Sequence, residues 1–285
     1  MTQRQSQILH IIAKERKVDV SFLSDQFGVS PVTIRKDLTA LEDAGLVKRL
    51  HGYAVLNAET DISNRMAIHY ERKVSLVKRA CELVDDGDVI MLESGSCCAL
   101  LAERINETRK NVTMITYSAY IATHIEMMGG NQIILIGGTV LQESKNTVGP
   151  IALASLSNFS VQKFFTGTDG ITADGWFTAK DMMIAEVIRE MSSRARKTIL
   201  LTDSSKFSRQ GTVTIFPASK VYAVYTDDRC TAEMKAYLQE QGCIVNRACC
   251  RKQFLRHAPF ANKSREERRH SIKKQPAKAK KGIRS

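Results

Sequence analysis

The first 56 residues carry three helical patterns followed by an alternating one. Ile8, Leu9, Ile11 and Ile12 recur at helical spacing between Gln3, Arg4, Gln7 and Lys14, predicting an amphipathic helix over about 2–15. Phe22, Leu23 and Phe27 mark a short second helix over 21–27, ended by Gly28. Ser30 is a good N-cap and Pro31 suits the first helical position, so a third helix runs from Pro31 to about Ala44, with Ile34, Leu38 and Leu41 on its inner face. Residues 46–55 then alternate as a two-stranded wing would.

Beyond a polar connector over 57–70, a basic amphipathic helix spans about 71–84, and strand-like and helix-like segments alternate after it. Short apolar strands are expected at 89–92, 112–116, 132–136, 162–166, 198–202, 221–225 and 243–245. Helices are expected at about 98–106, 118–128, 179–195 and 231–241. This alternation predicts an α/β domain with a mainly parallel sheet covered on both faces, whose ligands sit beyond the carboxyl ends of the strands. The division expected is 1–56 for a winged helix-turn-helix, 57–73 for a linker and the start of a connecting helix, 74–246 for the α/β domain and 247–285 for a basic tail.

Charge changes this picture only at the end of the chain. The net charge is +12, and residues 247–285, with 14 Lys+Arg against 2 Asp+Glu, hold all of the excess. Basicity alone is therefore no argument for specific DNA recognition. The last strand begins at Cys243-Ile244-Val245 and is expected to divert at Asn246-Arg247-Ala248, and two readings of the tail stand: a frameshifted or fused end, or a disordered basic arm that adds non-specific DNA affinity. No apolar run approaches the length of a membrane span, and the polar start is not a signal peptide, so no membrane partner and a cytoplasmic location are expected. The seven cysteines, odd in number and without a CxxC pair, do not suggest a disulfide framework, and Cys249, Cys250 and His257 make a poor metal set. No metal and no cofactor are expected.

DNA recognition rests on the third helix. Ser30, Val32, Thr33, Arg35, Lys36 and Thr39 lie at its leading end or on its outer face, where short polar groups and cations reach bases and phosphates. Lys48, Arg49 and His51 of the wing suit backbone contacts. A two-fold operator implies a homo-oligomer, a dimer or a tetramer. In the α/β domain, Glu93-Ser94-Gly95-Ser96-Cys97 runs from a strand into a helix, where small residues let backbone N–H groups approach an anion. Asp169-Gly170 and Asp203-Ser204-Ser205-Lys206 also follow strands; an aspartate there can hold sugar hydroxyls and a lysine can pair with phosphate.

Val29 to Leu38, Leu41-Glu42 and Arg49-Leu50-His51-Gly52 resemble the signature of the DeoR family of bacterial regulators. So do Glu93 to Ser96, Gly137-Gly138, Gly149-Pro150, Gly167-Thr168-Asp169-Gly170 and Thr202 to Phe207. The resemblance implies a sensor domain similar in fold to ribose 5-phosphate isomerase and a phosphorylated sugar as effector. It assigns Ser94, Gly95, Ser96 and Cys97 to a phosphate loop, and brings Glu93, Gly138, Asp169, Gly170 and Lys206 to the effector. It implies a repressor of a carbohydrate-utilisation operon, binding a double-stranded operator and released by the sugar phosphate. Lys36, Tyr53, Glu93, Cys97, Cys98 and Tyr117 depart from the family's usual residues. The alternative is an isomerase-like enzyme with a DNA-binding domain attached. Against it, Asp169-Gly170 is followed by Ile171-Thr172-Ala173, which cannot transfer protons, although Asp174, Asp181 and Glu186 lie near in sequence.

Overall fold

The computed structural model describes residues 3–15, 17–43, 47–50, 52–56 and 62–249. The first unit comprises α1 (Gln3–Glu15), β1 (Lys17–Asp19), α2 (Val20–Phe27), α3 (Pro31–Asp43), β2 (Val47–Leu50) and β3 (Tyr53–Leu56). Ile8, Leu9, Ile12, Leu23, Ile34, Leu38 and Leu41 close its core. Asp19 caps α2 by accepting from the Ser21 amide, and Gly28 ends it with φ 61°. The wing gains a strand that the sequence pattern did not indicate: β1 pairs with β3, placing β3 between β1 and β2.

The second unit begins with α4 (Ile62–Ala67) and α5 (Tyr70–Ala80). The remaining elements are β4 (Val89–Leu92), α6 (Ser96–Thr108), β5 (Thr113–Thr116), α7 (Ala119–Met128), β6 (Gln132–Leu135), β7 (Thr139–Leu141), β8 (Asn146–Val148), α8 (Pro150–Leu156), β9 (Val161–Thr166), β10 (Gly170–Ile171), β11 (Trp176–Ala179), α9 (Met182–Ser193), β12 (Ala195–Leu201), β13 (Val213–Pro217), β14 (Val221–Asp227), α10 (Ala232–Glu240) and β15 (Ile244–Ala248). Seven strands form one parallel sheet in the order β15-β14-β12-β9-β4-β5-β6. One apolar cluster joins α4, α5 and α6 to one face, and a second joins α8, α9 and α10 to the other. The expected parallel sheet covered on both faces is thus found, with all seven strands near their anticipated positions.

Several details differ. The segment expected as a polar connector contains α4, whose Ile62 and Met66 are buried in the same core as Leu76 and Leu101. Those two residues are isolated apolar positions separated by Ser63, Asn64 and Arg65, so periodicity alone could not reveal them. The helix after β4 starts at Ser96, two residues earlier than expected. The last strand does not divert at Asn246 but continues to Ala248, pairing Arg247 with Thr226 and Ala248 with Asp227. Ala248 is 2% exposed, and the parallel neighbour β14 supplies the hydrogen bonds that a local apolar pattern could not announce.

Candidate functional site

The sheet grows outward from β4 in both directions, so the strand order reverses between β4 and β9. Crevices at such a reversal are where open parallel sheets bind ligands. Glu93 follows β4 and Gly167 follows β9, and the two meet: the Gly167 amide donates to Glu93 Oε2 at 3.1 Å. The same oxygen accepts from the Gly95 amide at 2.7 Å. Glu93 Oε1 lies 3.1 Å from Ser94 Oγ and 3.2 Å from the Tyr117 hydroxyl. A side chain on Gly95 would put its Cβ 2.5 Å from Glu93 Oε2, so the loop folds this tightly because residue 95 is glycine. Gly95 stands at the N-cap of α6 without a side-chain cap, which leaves the first-turn amides of that helix open to an anion.

Around this loop the structure brings the expected residues into one neighbourhood. Lys206 Nζ is 3.5 Å from Asp169 Oδ1. The other Asp169 oxygen accepts from the Lys180 amide at 3.1 Å. Gly170 packs so closely under the Arg209 carbonyl that no side chain fits. Cys97 is buried beside Lys73, Asp203, Glu93 and Lys206; burial pushes its thiol up to about 12, with the Lys73 ammonium opposing. Gly138 is the exception. It has φ 145°, and a Cβ there would lie 2.6 Å from the Val148 carbonyl oxygen, so its place is the tight base of the β7–β8 hairpin.

Three residues that the sequence reading did not single out, Lys73, Arg65 and Asn146, belong to the same neighbourhood, together with Asp203 of the turn that carries Lys206. Lys73, on α5, is 4% exposed. Burial lowers its pKa, while Cys97 and Asp203 act to raise it. Its Nζ donates to the Arg65 carbonyl. Arg65, on α4, donates through Nη2 to the Ser94 carbonyl at 3.1 Å. Burial raises Asp203, but Lys73 and the Ser205 hydroxyl outweigh it and hold the carboxyl below the ordinary value. Asn146 of β8 donates to Ser94 Oγ at 2.9 Å. A signal for Lys73 does exist: with Leu76, Val77 and Ala80 it completes an i, i+3, i+4, i+7 stripe, and it occupies a place where an apolar residue belongs.

Of the acids considered as proton carriers, Asp174 is exposed in the turn before β11, and Asp181, next to Lys180, is taken up as a helix cap. Asp181 Oδ1 accepts from the Ile184 amide at 2.9 Å and caps α9, and Glu186 is exposed on that helix.

In the first unit, the outer face of α3 presents exposed Val32, Arg35 and Lys36 and half-buried Thr33 and Thr39. Ser30 Oγ accepts from the Thr33 amide at 3.2 Å, capping the helix. Thr39 donates to the Arg35 carbonyl at 2.9 Å. Asp37, 6% exposed, faces inward and takes Arg4 Nε at 2.5 Å, bolting α1 to the inner side of α3. Arg49 is engaged twice by Glu42: its amide donates at 3.0 Å and its Nε at 2.5 Å. That pair fixes β2 against the end of α3. Lys48 is exposed on the wing, and Lys17 Nζ sits 4.0 Å from the centre of the Tyr53 ring. His51 lies outside the described residues, as do His257, Cys250 and the tail from residue 250 onward.

The family model of the DeoR C-terminal sensor domain matches residues 68–228, and that of the DeoR-like helix-turn-helix domain matches residues 4–60. The chain belongs to the DeoR family. Its DeoR relatives include the HTH-type transcriptional regulator GolR of Listeria innocua, 28% identical over 85% of this chain and 97% of that protein. They also include the glycerol-3-phosphate regulon repressor of Escherichia coli, 28% identical over 79% of this chain and 90% of that protein. The L-fucose operon activator of Escherichia coli is 28% identical over 79% of this chain and 95% of that protein. Among solved structures, ribose 5-phosphate isomerase A of Methanocaldococcus jannaschii aligns at 23% identity with a TM-score of 0.35, over 47% of this chain and 53% of that one. As a DeoR-family chain, the protein is a transcriptional regulator with an N-terminal DNA-binding domain and a C-terminal sensor domain. No helix among the described residues is long and apolar enough to cross a membrane.

Proposed function

We propose that this regulator represses a carbohydrate-utilisation operon and leaves its operator when a phosphorylated sugar binds the sensor domain. The observation that carries the reading is the uncapped start of α6 at the strand-order reversal, with Lys206 and Asp169 beside it. A phosphate monoester suits the open amides of Ser96, Cys97 and Cys98. The Lys206 ammonium adds charge, and Asp169 accepts from sugar hydroxyls. Glu93, buried where Asp169 is half-exposed, takes the Gly95 and Gly167 amides and the Ser94 and Tyr117 hydroxyls within the protein, so its part is to shape the loop.

On DNA, α3 enters the major groove with Val32, Thr33, Arg35, Lys36 and Thr39 toward base edges and phosphates. Ser30 caps the helix, and Lys48, Arg49 and His51 follow the backbone. The protein acts in the cytoplasm as a homo-oligomer, since two copies of α3 read paired half-sites. Its part is regulatory rather than catalytic: Asp169 is joined to a cation, Asp181 caps a helix, and Asp174 and Glu186 are exposed.

The test is fluorescence anisotropy with upstream DNA of the protein's own gene, at fixed salt, with random-sequence competitor and a panel of sugar phosphates. Competitor-resistant binding that one sugar phosphate releases supports the reading. Competitor-resistant binding that no member of the panel releases would overturn its sensing half.

A further inference from the structure

The connector that leads into the sensor domain reaches the anion loop directly. Helix α4 is held on α6 by Ile62 and Met66, both buried with Leu100 and Leu101. From it, Arg65 extends to the first turn of the loop and spends one terminal N–H on the Ser94 carbonyl. Its Nε is buried and has no hydrogen-bond partner. A buried guanidinium N–H without an acceptor is costly, and its persistence beside an anion cradle points to an acceptor that arrives with a ligand. Asn146 leaves the complementary kind of group open beside Ser94: it is 1% exposed, its Nδ2 is used on Ser94 Oγ, and its Oδ1, an acceptor without a partner, suits a hydroxyl of the ligand rather than its phosphate. Both open groups flank the same residue.

The backbone of α4 is held just as closely. The buried Lys73 ammonium donates to the Arg65 carbonyl, so the residue that touches the loop with its side chain is tied to α5 by its main chain. Lys73 is thus a positioning residue for Arg65. A guanidinium presents Nε–H and a terminal N–H as a planar fork that matches two phosphate oxygens. Trading the Ser94 carbonyl for such an anion would turn the side chain, and with it the six-residue helix on which it stands.

We propose that Arg65 is an effector-binding residue and the output contact of the sensor: a phosphate group on the Ser94–Cys98 loop draws the Arg65 fork from the Ser94 carbonyl and so repositions α4. This rests on the reading of that loop as a phosphate site. It assigns the coupling to a contact made differently in the free and bound states, as any ligand-driven shift requires.

The experiment is hydrogen exchange on the full chain, titrated with inorganic phosphate and with ribose 5-phosphate, following peptides over 94–98 and over 62–67. Wild type is expected to show slowed exchange at 94–98 and a concerted change at 62–67. Arg65→Gln should weaken phosphate binding about tenfold or more and abolish the change at 62–67 even at saturation. If Arg65→Gln fails to fold, Arg65→Lys keeps the charge but loses the fork, and should lose the 62–67 response in the same way. Protection at 94–98 with 62–67 unmoved in wild type would overturn the inference while leaving the phosphate site intact. So would a variant that keeps wild-type affinity and response. No protection at 94–98 by either probe would overturn the phosphate-site reading itself and the inference with it.

Discussion

The Gly167 amide donates to Glu93 across the boundary where the sheet reverses its strand order. That one bond joins the two strand ends that frame the effector crevice. It makes Glu93 a structural keystone of the loop in a chain whose relatives are regulators. Glu93→Ala leaves the Gly95 and Gly167 amides without their acceptor and should cost about 2–4 kcal/mol in stability. Glu93→Gln retains one carbonyl oxygen for those amides and should cost less than about half as much. Urea unfolding of the two variants provides the comparison; equal losses would contradict the role.

Gly95→Ala should act on sensing rather than on DNA. The added methyl meets Glu93 Oε2 at 2.5 Å, so the loop must open. Sugar-phosphate affinity is expected to fall about tenfold or more, since an amide that points away from phosphate forfeits a charge-assisted bond. Operator affinity without ligand should remain within about twofold of wild type. Isothermal titration and anisotropy read the two quantities separately.

Cys97 should be a poor nucleophile. Its pKa of about 12, against an ordinary 9.0, lowers the thiolate fraction near neutral pH about a thousandfold. Aromatic disulfide reagents should label exposed Cys249 quickly and reach Cys97 only on unfolding. Rapid labelling of Cys97 in the native protein would show a redox-accessible thiol instead.

Lys73 gives the stability a signature in alkaline solution. Its folded pKa lies below the usual 10.5 because burial disfavours the ammonium. The unfolded chain therefore holds more protons as the pH climbs toward 10.5, and the folded state gains stability through that window. Lys73→Met removes the term. The stability of wild type relative to Lys73→Met should rise between neutral pH and 10.5; a flat difference would mean that the ammonium is not desolvated.

The end of the chain separates two effects. Deleting 250–285 should flatten the salt dependence of DNA binding without changing stability, if the basic tail contacts phosphates. Deleting from residue 247 also strips the pairs Arg247–Thr226 and Ala248–Asp227 and buried Ala248, and should lower the unfolding midpoint. Equal salt slopes for the full and shortened chains would remove the arm from the account.

Much of this architecture was legible in the sequence, and the reasons differ by element. Helix α3 announces itself because Ser30 and Pro31 fix its start and Ile34, Leu38 and Leu41 fix its inner face. The sheet strands read as short apolar runs, and the loop from Glu93 to Cys97 reads as strand-to-helix chemistry. What sequence reasoning missed depends on contacts distant along the chain. Asp37 looks like a surface acid until Arg4 of α1 meets it. Arg49 looks like a free cation until Glu42 takes it. Strand β1 has three residues and exists because β3 offers an edge. Arg65 and Lys73 gain meaning only when α4 and α5 fold against the loop, 29 residues from Arg65 to Ser94 along the chain.

The central claim, that one chain reads an operator through α3 and a sugar phosphate through the loop at β4, is tested most directly by paired variants in one anisotropy assay. Arg35→Ala and Lys206→Ala are titrated against operator DNA with random competitor, with and without the sugar phosphate that releases wild type. The account predicts that Arg35→Ala loses about 1–3 kcal/mol of operator binding and keeps wild-type sugar-phosphate affinity. It predicts that Lys206→Ala binds operator as wild type does and needs a higher sugar-phosphate concentration for release. Loss of operator binding in a folded Lys206→Ala protein, or its release at the wild-type sugar-phosphate concentration, would contradict that division of labour.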